Sequence, residues 1–429
     1  MDDFEARRLD AAEIINYARV IPGIGNWPPA TWDLRTLTLA AMYYSPDLDM
    51  ARAQWGVAQA GRVTAGERPN PTGSVLIGYN STSPVSEVTP WIPEAALEIP
   101  IETAGKRGYR IAQAKHLSES ARLKIFSAAW DVRSRLRQAF LDLWAARESE
   151  SLLNIQVAFQ AENLKILEAQ RAAGETSMYD VTQARIVLDS ARLAALDASA
   201  QSARALVSLA GAIGVPLKAV ERVAFSFEGL RDLRTDLPAA GVRRRALVSR
   251  ADILSTLSEY EAAQSALRLE IAKQYPDISL GPGWQLDQVD NKWTLGLSLI
   301  LPLLNRNKGP IAEAEARRAE LAAQFLALQA RVIEQIDLAV AACRSAIEKS
   351  KTADELQVRL KKQEESAKVL YRVGEISKSE LLGIQLELAA ASLARVEALV
   401  KAQQAVGELE NAIQNPLDLK DGILKSPRK

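Results

Sequence analysis

One histidine, His116, and one cysteine, Cys343, are the whole supply of imidazole and thiol in this 429-residue sequence. A zinc centre draws on three or four nitrogen, sulfur or carboxylate ligands, often in closely spaced pairs, and no CxxC pair is present. A lone cysteine makes no internal disulfide. Cys343 ends the run Asp337-Leu338-Ala339-Val340-Ala341-Ala342-Cys343 and reads as a small packed residue of a helix. His116 follows Lys115 on another helical stretch and reads as a surface or packing residue, with nothing beside it to suggest a Ser-His-Asp relay. Gly281-Pro282-Gly283 reads as a kink in a strand, not a phosphate loop, and no nucleophile elbow or metal cluster appears. The expectation is a chain that catalyses nothing and holds no cofactor or metal.

The elements around these residues are long. Lys plus Arg and Asp plus Glu both number 53, a balance that points to no nucleic acid. Apolar residues reach 48% with only 6% aromatics, and the excess of small and aliphatic residues beside Glu, Arg, Gln and Lys is long-helix composition. No proline occurs between Pro100 and Pro216 or between Pro310 and Pro416. Helices survive such distances only without it, and arms of this length approach roughly 90 Å at 1.5 Å per residue.

The long stretches come twice. Gly174-Glu175-Thr176-Ser177 matches Gly374-Glu375-Ile376-Ser377 at an offset of 200, and Ile111-Ala112-Gln113-Ala114 matches Ile311-Ala312-Glu313-Ala314 at the same offset. Ala58-Gln59 matches Ala263-Gln264 at 205. The organisation expected is a tail over 1–36, a first repeat over 37–225, a linker over 226–242 and a second repeat over 243–427. Each repeat has a first helix (about 36–66 and 241–274), a β-hairpin (about 73–102 and 277–302) and long helices (about 108–213 and 309–414) broken once at the Gly-Glu-x-Ser element. Leu382, Leu386, Ala389, Leu393, Val396 and Val400 alternate spacings of four and three, as do Val181, Ala184, Leu188, Ala191, Ala195 and Ala198, so both arms carry heptad seams. Apolar residues outside one stripe, such as Ile155, Phe159 and Leu164, imply neighbours on two sides.

The hairpins admit two readings. Ser74–Asn80 with Ala95–Ile101, and Ile278–Trp284 with Trp293–Leu301, are strands of a length that spans a bilayer when tilted, with Trp91, Trp284 and Trp293 near the turns. They would equally serve a small sheet capping a helical bundle, while Glu98 and Pro282 inside the strands lend slight support to a soluble long-helix scaffold that has lost its barrel. Four strands cannot close a barrel, so the membrane reading requires several copies; three give twelve strands. No stretch reaches the roughly 18 apolar residues of a membrane helix.

From about Leu37 to Pro416 the sequence resembles the TolC-type outer-membrane efflux proteins, and most the branch attached to heavy-metal exporters. The resemblance rests on Arg68-Pro69-Asn70-Pro71, on Pro100-Ile101-Glu102-Thr103-Ala104-Gly105-Lys106-Arg107, on Tyr275-Pro276-Asp277, on Leu301-Pro302-Leu303-Leu304-Asn305-Arg306-Asn307 and on the two Gly-Glu-x-Ser elements, in order. It implies a mainly α fold with a small β part, in which a homotrimer forms a twelve-stranded β-barrel in outer-membrane lipid, continued by a periplasmic α-helical barrel. It implies a passive exit duct for metal ions or small toxic compounds, fed by a periplasmic adaptor (a membrane fusion protein) and an inner-membrane pump of the RND type. The adaptor would dock at the tip formed by Gly174, Glu175, Thr176 and Ser177 with Gly374, Glu375, Ile376 and Ser377. The glycines would close one helix and Thr176, Ser177 or Ser377 would cap the next. Asp180, Glu380 and Tyr371 would form the gate, the carboxylates selecting cations; the same two acids also suit a helix N-terminus electrostatically. Gly383 and Ile376 depart from the acidic and basic residues the family pattern places there, which leaves a simpler or different gate network. Met1-Asp2-Asp3-Phe4-Glu5 is no signal peptide, so a mature or recloned form, or a start assigned downstream, is expected. The alternative to the duct is a soluble long-helix scaffold without a membrane barrel, whose strand faces would not be uniformly apolar on one side.

Overall fold

The computed structural model describes residues 2–21, 27–81, 89–233, 241–287, 289–302 and 304–416. Its elements run α1 (Asp2–Glu5), α2 (Ala12–Val20), α3 (Leu34–Tyr44), α4 (Pro46–Gly66), β1 (Thr72–Tyr79), β2 (Trp91–Ile101), α5 (Lys106–Ala172), α6 (Met178–Ile213), α7 (Glu228–Arg231), α8 (Val242–Ser249), α9 (Ala251–Ala272), β3 (Ile278–Asp287), β4 (Asp290–Leu299), α10 (Lys308–Arg372) and α11 (Lys378–Ile413). Most of the interior loop at 82–88, the linker at 234–240, Leu303 and the end of the second repeat from 417 lie outside the described residues.

The first helix of each repeat is two helices. Proline cannot continue a helix from the preceding turn but suits its first position, so Ser45 is extended and Pro46 opens α4. In the second repeat the extended Arg250 separates α8 from α9. The segment expected as a tail folds as well. Ile14 and Ala18 of α2 are buried, and Arg7 Nη1 donates to the carbonyls of Tyr44 at 3.1 Å and Gly214 at 2.8 Å.

The chain forms two compact units that cut across the repeats. Unit 1 comprises Met1–Asp49, Ser127–Arg250 and Arg331–Lys429; unit 2 comprises Met50–Phe126 and Ala251–Ala330. The 67-residue α5 and the 65-residue α10 belong to both.

In unit 1 four helices lie side by side. The seam of α6 packs on α5 through Leu164, Val181, Ala184 and Leu188, and Arg185 reaches Glu168 at 2.6 Å. α11 meets α10 through Gln385 and Glu364 at 3.1 Å and through Gln357 and Ser392 at 3.0 Å. On its other side α11 meets α5 through a buried polar node. Glu410, 0% exposed, accepts from Arg133 Nη1 at 2.8 Å and stands 3.6 Å from Arg137 Nε. Arg137 also donates to Gln403, whose side chain reaches the Leu230 carbonyl. Gly407 leaves room for this, since a Cβ there would stand 2.4 Å from Arg137 Nη1. The order α6–α5–α11–α10 leaves an outer apolar row on each flank. Tyr179, Ile186, Leu193 and Val207 are exposed on α6, and Leu338, Leu356 and Leu370 on α10. Cys343 is buried without a disulfide, and burial pushes its thiol up to about 11.

In unit 2 the four strands form one antiparallel sheet in the order β1-β2-β3-β4. Strand prolines did not shorten β2 to the stretch expected from Ala95. It starts at Trp91, with Pro93 paired to Ile77. Where the strands run on into helices, both exits use left-handed backbone, Ala104–Gly105 before α5 and Arg306–Asn307 before α10. Lys106 ties the first exit to the second repeat by donating to the Tyr275 carbonyl at 2.7 Å and Asp277 at 2.8 Å; the Thr103 backbone N–H also donates to Asp277.

Candidate functional site

Two places carry the residues singled out by the sequence, the turns between long helices and the sheet. The turns repeat almost atom for atom. α5 ends at Ala172, Gly174 takes φ +82°, and the Glu175 N–H reaches back to the Gln170 carbonyl at 2.8 Å. α10 ends at Arg372, Gly374 takes φ +83°, and Glu375 reaches Leu370 at 2.9 Å. Left-handed backbone of this kind closes a helix and suits glycine. The next helix opens on a serine each time. Ser177 Oγ accepts from the Asp180 N–H while Asp180 accepts from the Ser177 N–H, and Ser377 and Glu380 do the same. Each pair satisfies two otherwise orphaned helix donors.

Of the two cap candidates in the first turn, Ser177 is the cap; Thr176 instead donates to the Asp180 carboxylate at 3.2 Å. The Ser177 hydroxyl, first of all, holds Asp180 below the ordinary carboxylate range, followed by the Ser177 N–H and Thr176. The Ser377 N–H does the same for Glu380. A depressed carboxyl contributes its part of the cap above the unfolded pKa. That part is lost as pH falls through the folded value, so both caps stay charged at any pH above the ordinary carboxylate range.

Tyr371 lies on the last turn of α10, partly exposed, with Lys378 Nζ 5.6 Å from the centre of its ring. Lys378 thus places a cation beside Tyr371, two residues beyond Ile376. No motif announces it, because the two residues meet only through the turn. Among the described residues no hydrogen bond or ion pair joins Asp180, Glu380 and Tyr371 to one another. The two tips also differ chemically: Met178 and Tyr179 are exposed beside the first, where the second has Lys378 and Ser379.

The sheet sorts its residues by face. Directly paired residues share a face, and successive residues alternate. One face carries Tyr79, Ile77 and Val75 of β1, opposite Trp91, Pro93 and Ala95 of β2. It continues through Ile99 and Ile101 to Leu280 and Ile278 of β3, and from Trp284, Pro282 and Leu280 to Trp293, Leu295 and Leu297 of β4. Every one of these residues is apolar; Asn291, opposite Leu286 at the turn end, is the polar exception on this face. The other face holds Thr72, Ser74, Glu94, Glu98, Ser279, Gly281, Gly283, Gln285, Lys292, Thr294, Gly296 and Ser298, with Leu76 and Ile92 as its large apolar members. Glu98 thus lies on the polar face and Pro282 on the apolar one, so neither breaks the alternation.

Among the described residues of unit 2, the apolar face stays bare. Trp293 is 80% exposed, Val75 78% and Leu297 62%. A sheet capping a helical bundle would bury this side. The aromatics collect at the turn end, where Tyr79 packs edge-on against Trp91 at 5.1 Å and Trp284 pairs with Trp293. Among the described residues β1 and β4 each pair on one side only, leaving two open edges. No helix among the described residues is long and apolar enough to cross a membrane.

The family model described as outer membrane efflux protein matches residues 40–215, most of the first repeat. The cobalt-zinc-cadmium resistance protein CzcC of Cupriavidus metallidurans is 26% identical over 286 residues, 66% of this chain and 65% of that protein. The pyoverdine export outer membrane protein OpmQ of Pseudomonas aeruginosa is 24% identical over 64% of this chain and 62% of that one. The matched stretch thus spans a little under two thirds of these relatives. Among solved structures, the outer membrane protein VceC of Vibrio cholerae superposes with a TM-score of 0.72 at 20% identity, over 91% of this chain and 99% of that one. A structure of CusC does so with 0.73 at 18%, over 92% and 96%. These two likenesses give the fold: paired long helices and β-hairpins. Over residues 40–215 the chain matches the outer membrane efflux protein family.

Proposed function

We propose that three copies of this chain form the outer-membrane exit duct of a tripartite efflux system, and that the protein conducts without catalysing. The observation that carries this is the sheet, apolar and bare on one face, polar on the other, and open at both edges. Lipid leaves no unpaired strand edge, so the strands must close on further copies. Twelve is an even number within the range of such barrels. The exposed apolar rows on the outer flanks of α6 and α10 fit the same assembly, because a head-to-tail contact between two different flanks closes into a ring. The soluble scaffold requires an apolar sheet face to stand in water and is disfavoured.

In this reading the protein resides in the outer membrane with its long helices in the periplasm. The turns at Gly174–Ser177 and Gly374–Ser377 are the periplasmic tip that docks an adaptor coupled to an inner-membrane pump of the RND type. Asp180 and Glu380 give the tip two threefold sets of carboxylates, held charged by their own caps, and Tyr371 with Lys378 stands beside them. Cargo is metal ions or small toxic compounds. The names of two relatives, one for cobalt, zinc and cadmium resistance and one for pyoverdine export, cover metal ions and an organic molecule.

The test is conductance in planar lipid bilayers. The intact protein is expected to give discrete, cation-preferring channels. The D180N/E380Q variant is expected to lower the cation-to-anion permeability ratio at least threefold, as loss of carboxylate rings does. Absence of channels would reject the duct, and an unchanged ratio would reject the gate assignment alone.

A further inference from the structure

We propose that unit 2 contains a binding site for a small organic anion, built by α4, α5 and α9 of a single chain. A cavity of about 360 Å³ opens among these helices. From α4 it receives Trp55 and Arg62, seven residues apart and so on one helical face. From α5 it receives Lys115, His116, Glu119 and Arg122, and from α9 Glu261.

Both carboxylates are already engaged. Glu119 takes Arg122 Nε at 2.9 Å and Nη2 at 2.7 Å, and Glu261 takes His116 Nδ1 at 2.9 Å. The three permanent cations outnumber the two acids. A metal cation would therefore meet net repulsion, whereas a carboxylate or phosphate would meet Arg62 and Lys115. Trp55 adds a flat apolar wall, so the fitting ligand has a ring or similar body beside its charge. The place suits a soluble anion over a lipid headgroup, because Lys115 stands nine residues into α5, about 14 Å of helix beyond the strand exit.

The internal repeat separates ligand binding from packing. At offsets of 205 and 200, Trp55 and Arg62 correspond to Tyr260 and Leu267, while Lys115, His116, Glu119 and Arg122 correspond to Glu315, Ala316, Ala319 and Ala322. Not one base is kept. Among the described residues the equivalent helices of the second repeat meet through Arg318 and Gln264 at 3.1 Å, with none of the positions corresponding to Arg62, Lys115 and Arg122 occupied by a base. Packing two such helices thus needs no basic cluster, and the one in the first repeat is left for a ligand.

The detergent-extracted full chain would be titrated calorimetrically with phenyl phosphate and with inorganic phosphate. One saturable phenyl phosphate site per chain is expected, at least tenfold tighter than inorganic phosphate. The R62A/K115A variant should weaken it at least tenfold, and W55A should erase the preference for the phenyl compound. Oligomeric mass, measured alongside, verifies that each variant is folded, with K115A as the milder substitute for the double variant. No saturable binding by folded protein, or binding that R62A/K115A leaves within twofold, overturns the site. Because one chain builds the cavity, this failure is independent of the duct, whose own tests are conductance and mass.

Discussion

Arginine at Leu297 is expected to abolish insertion into the outer membrane, while arginine at the adjacent Ser298 is expected to be tolerated. The two residues are neighbours on β4 but lie on opposite faces, Leu297 paired with Leu280 and Ser298 with Ser279. Arginine on the lipid face of a barrel costs about 2–4 kcal/mol near the midplane, whereas the lumen face is wet. Three copies multiply the cost, which brings it to the scale of a whole domain's stability. The measurement is the amount of each variant recovered as detergent-extracted oligomer from outer membranes. A fall of tenfold or more for L297R, with S298R within twofold of the parent, is the expected result. Equal behaviour would mean that the apolar face does not meet lipid.

Removing the Glu410 carboxylate is expected to be the most damaging single change within unit 1. E410A leaves Arg133 and Arg137, both nearly sealed from water, without their shared anion. Breaking a buried pair by deleting one partner costs about 3–5 kcal/mol, because a buried charge is left uncompensated. E410Q keeps the shape and loses the charge, so it should be nearly as costly. Exposed pairs such as Arg317–Glu320 are worth about 0–1 kcal/mol, so E320A is the control. Denaturant midpoints of the three variants give the comparison. An E410A midpoint no lower than that of E320A would refute the role of the node.

The sequence showed what depends on long windows. Two proline-free stretches and a twice-repeated order of pieces yielded the long helices, because periodicity accumulates evidence over many residues. The seam residues Val181, Ala184 and Leu188 are buried as their spacing implied. Local breaks were harder. Pro46 was visible as a breaker, yet the helical pattern continues on both sides of it. Trp91-Ile92-Pro93 looked like loop because proline is rare inside strands, although pairing with β1 holds it extended. Glu98 looked like an argument against a membrane sheet until its register put it opposite Thr72 on the polar face.

Partners far apart in the chain left no trace. Arg133 and Glu410 are 277 residues apart, and a charged residue in a long helix ordinarily marks a solvated face. The cavity beside His116 was equally hidden, since its residues come from three separate helices. At the tips the reverse held: Ser177 with Asp180 and Ser377 with Glu380 have capping-box spacing in plain sight. Their capping role is local physics, and a gating role would use the same charged carboxylates.

The most direct measurement is the number of chains in the extracted particle. The protein would be expressed behind a secretory signal, extracted from outer membranes in detergent and weighed by light scattering with the detergent contribution subtracted. One chain is 46.8 kDa, and closing four-stranded sheets into one barrel predicts three chains, about 140 kDa of protein. A monodisperse monomer or dimer that stays in water without detergent would contradict the barrel and leave only the helices.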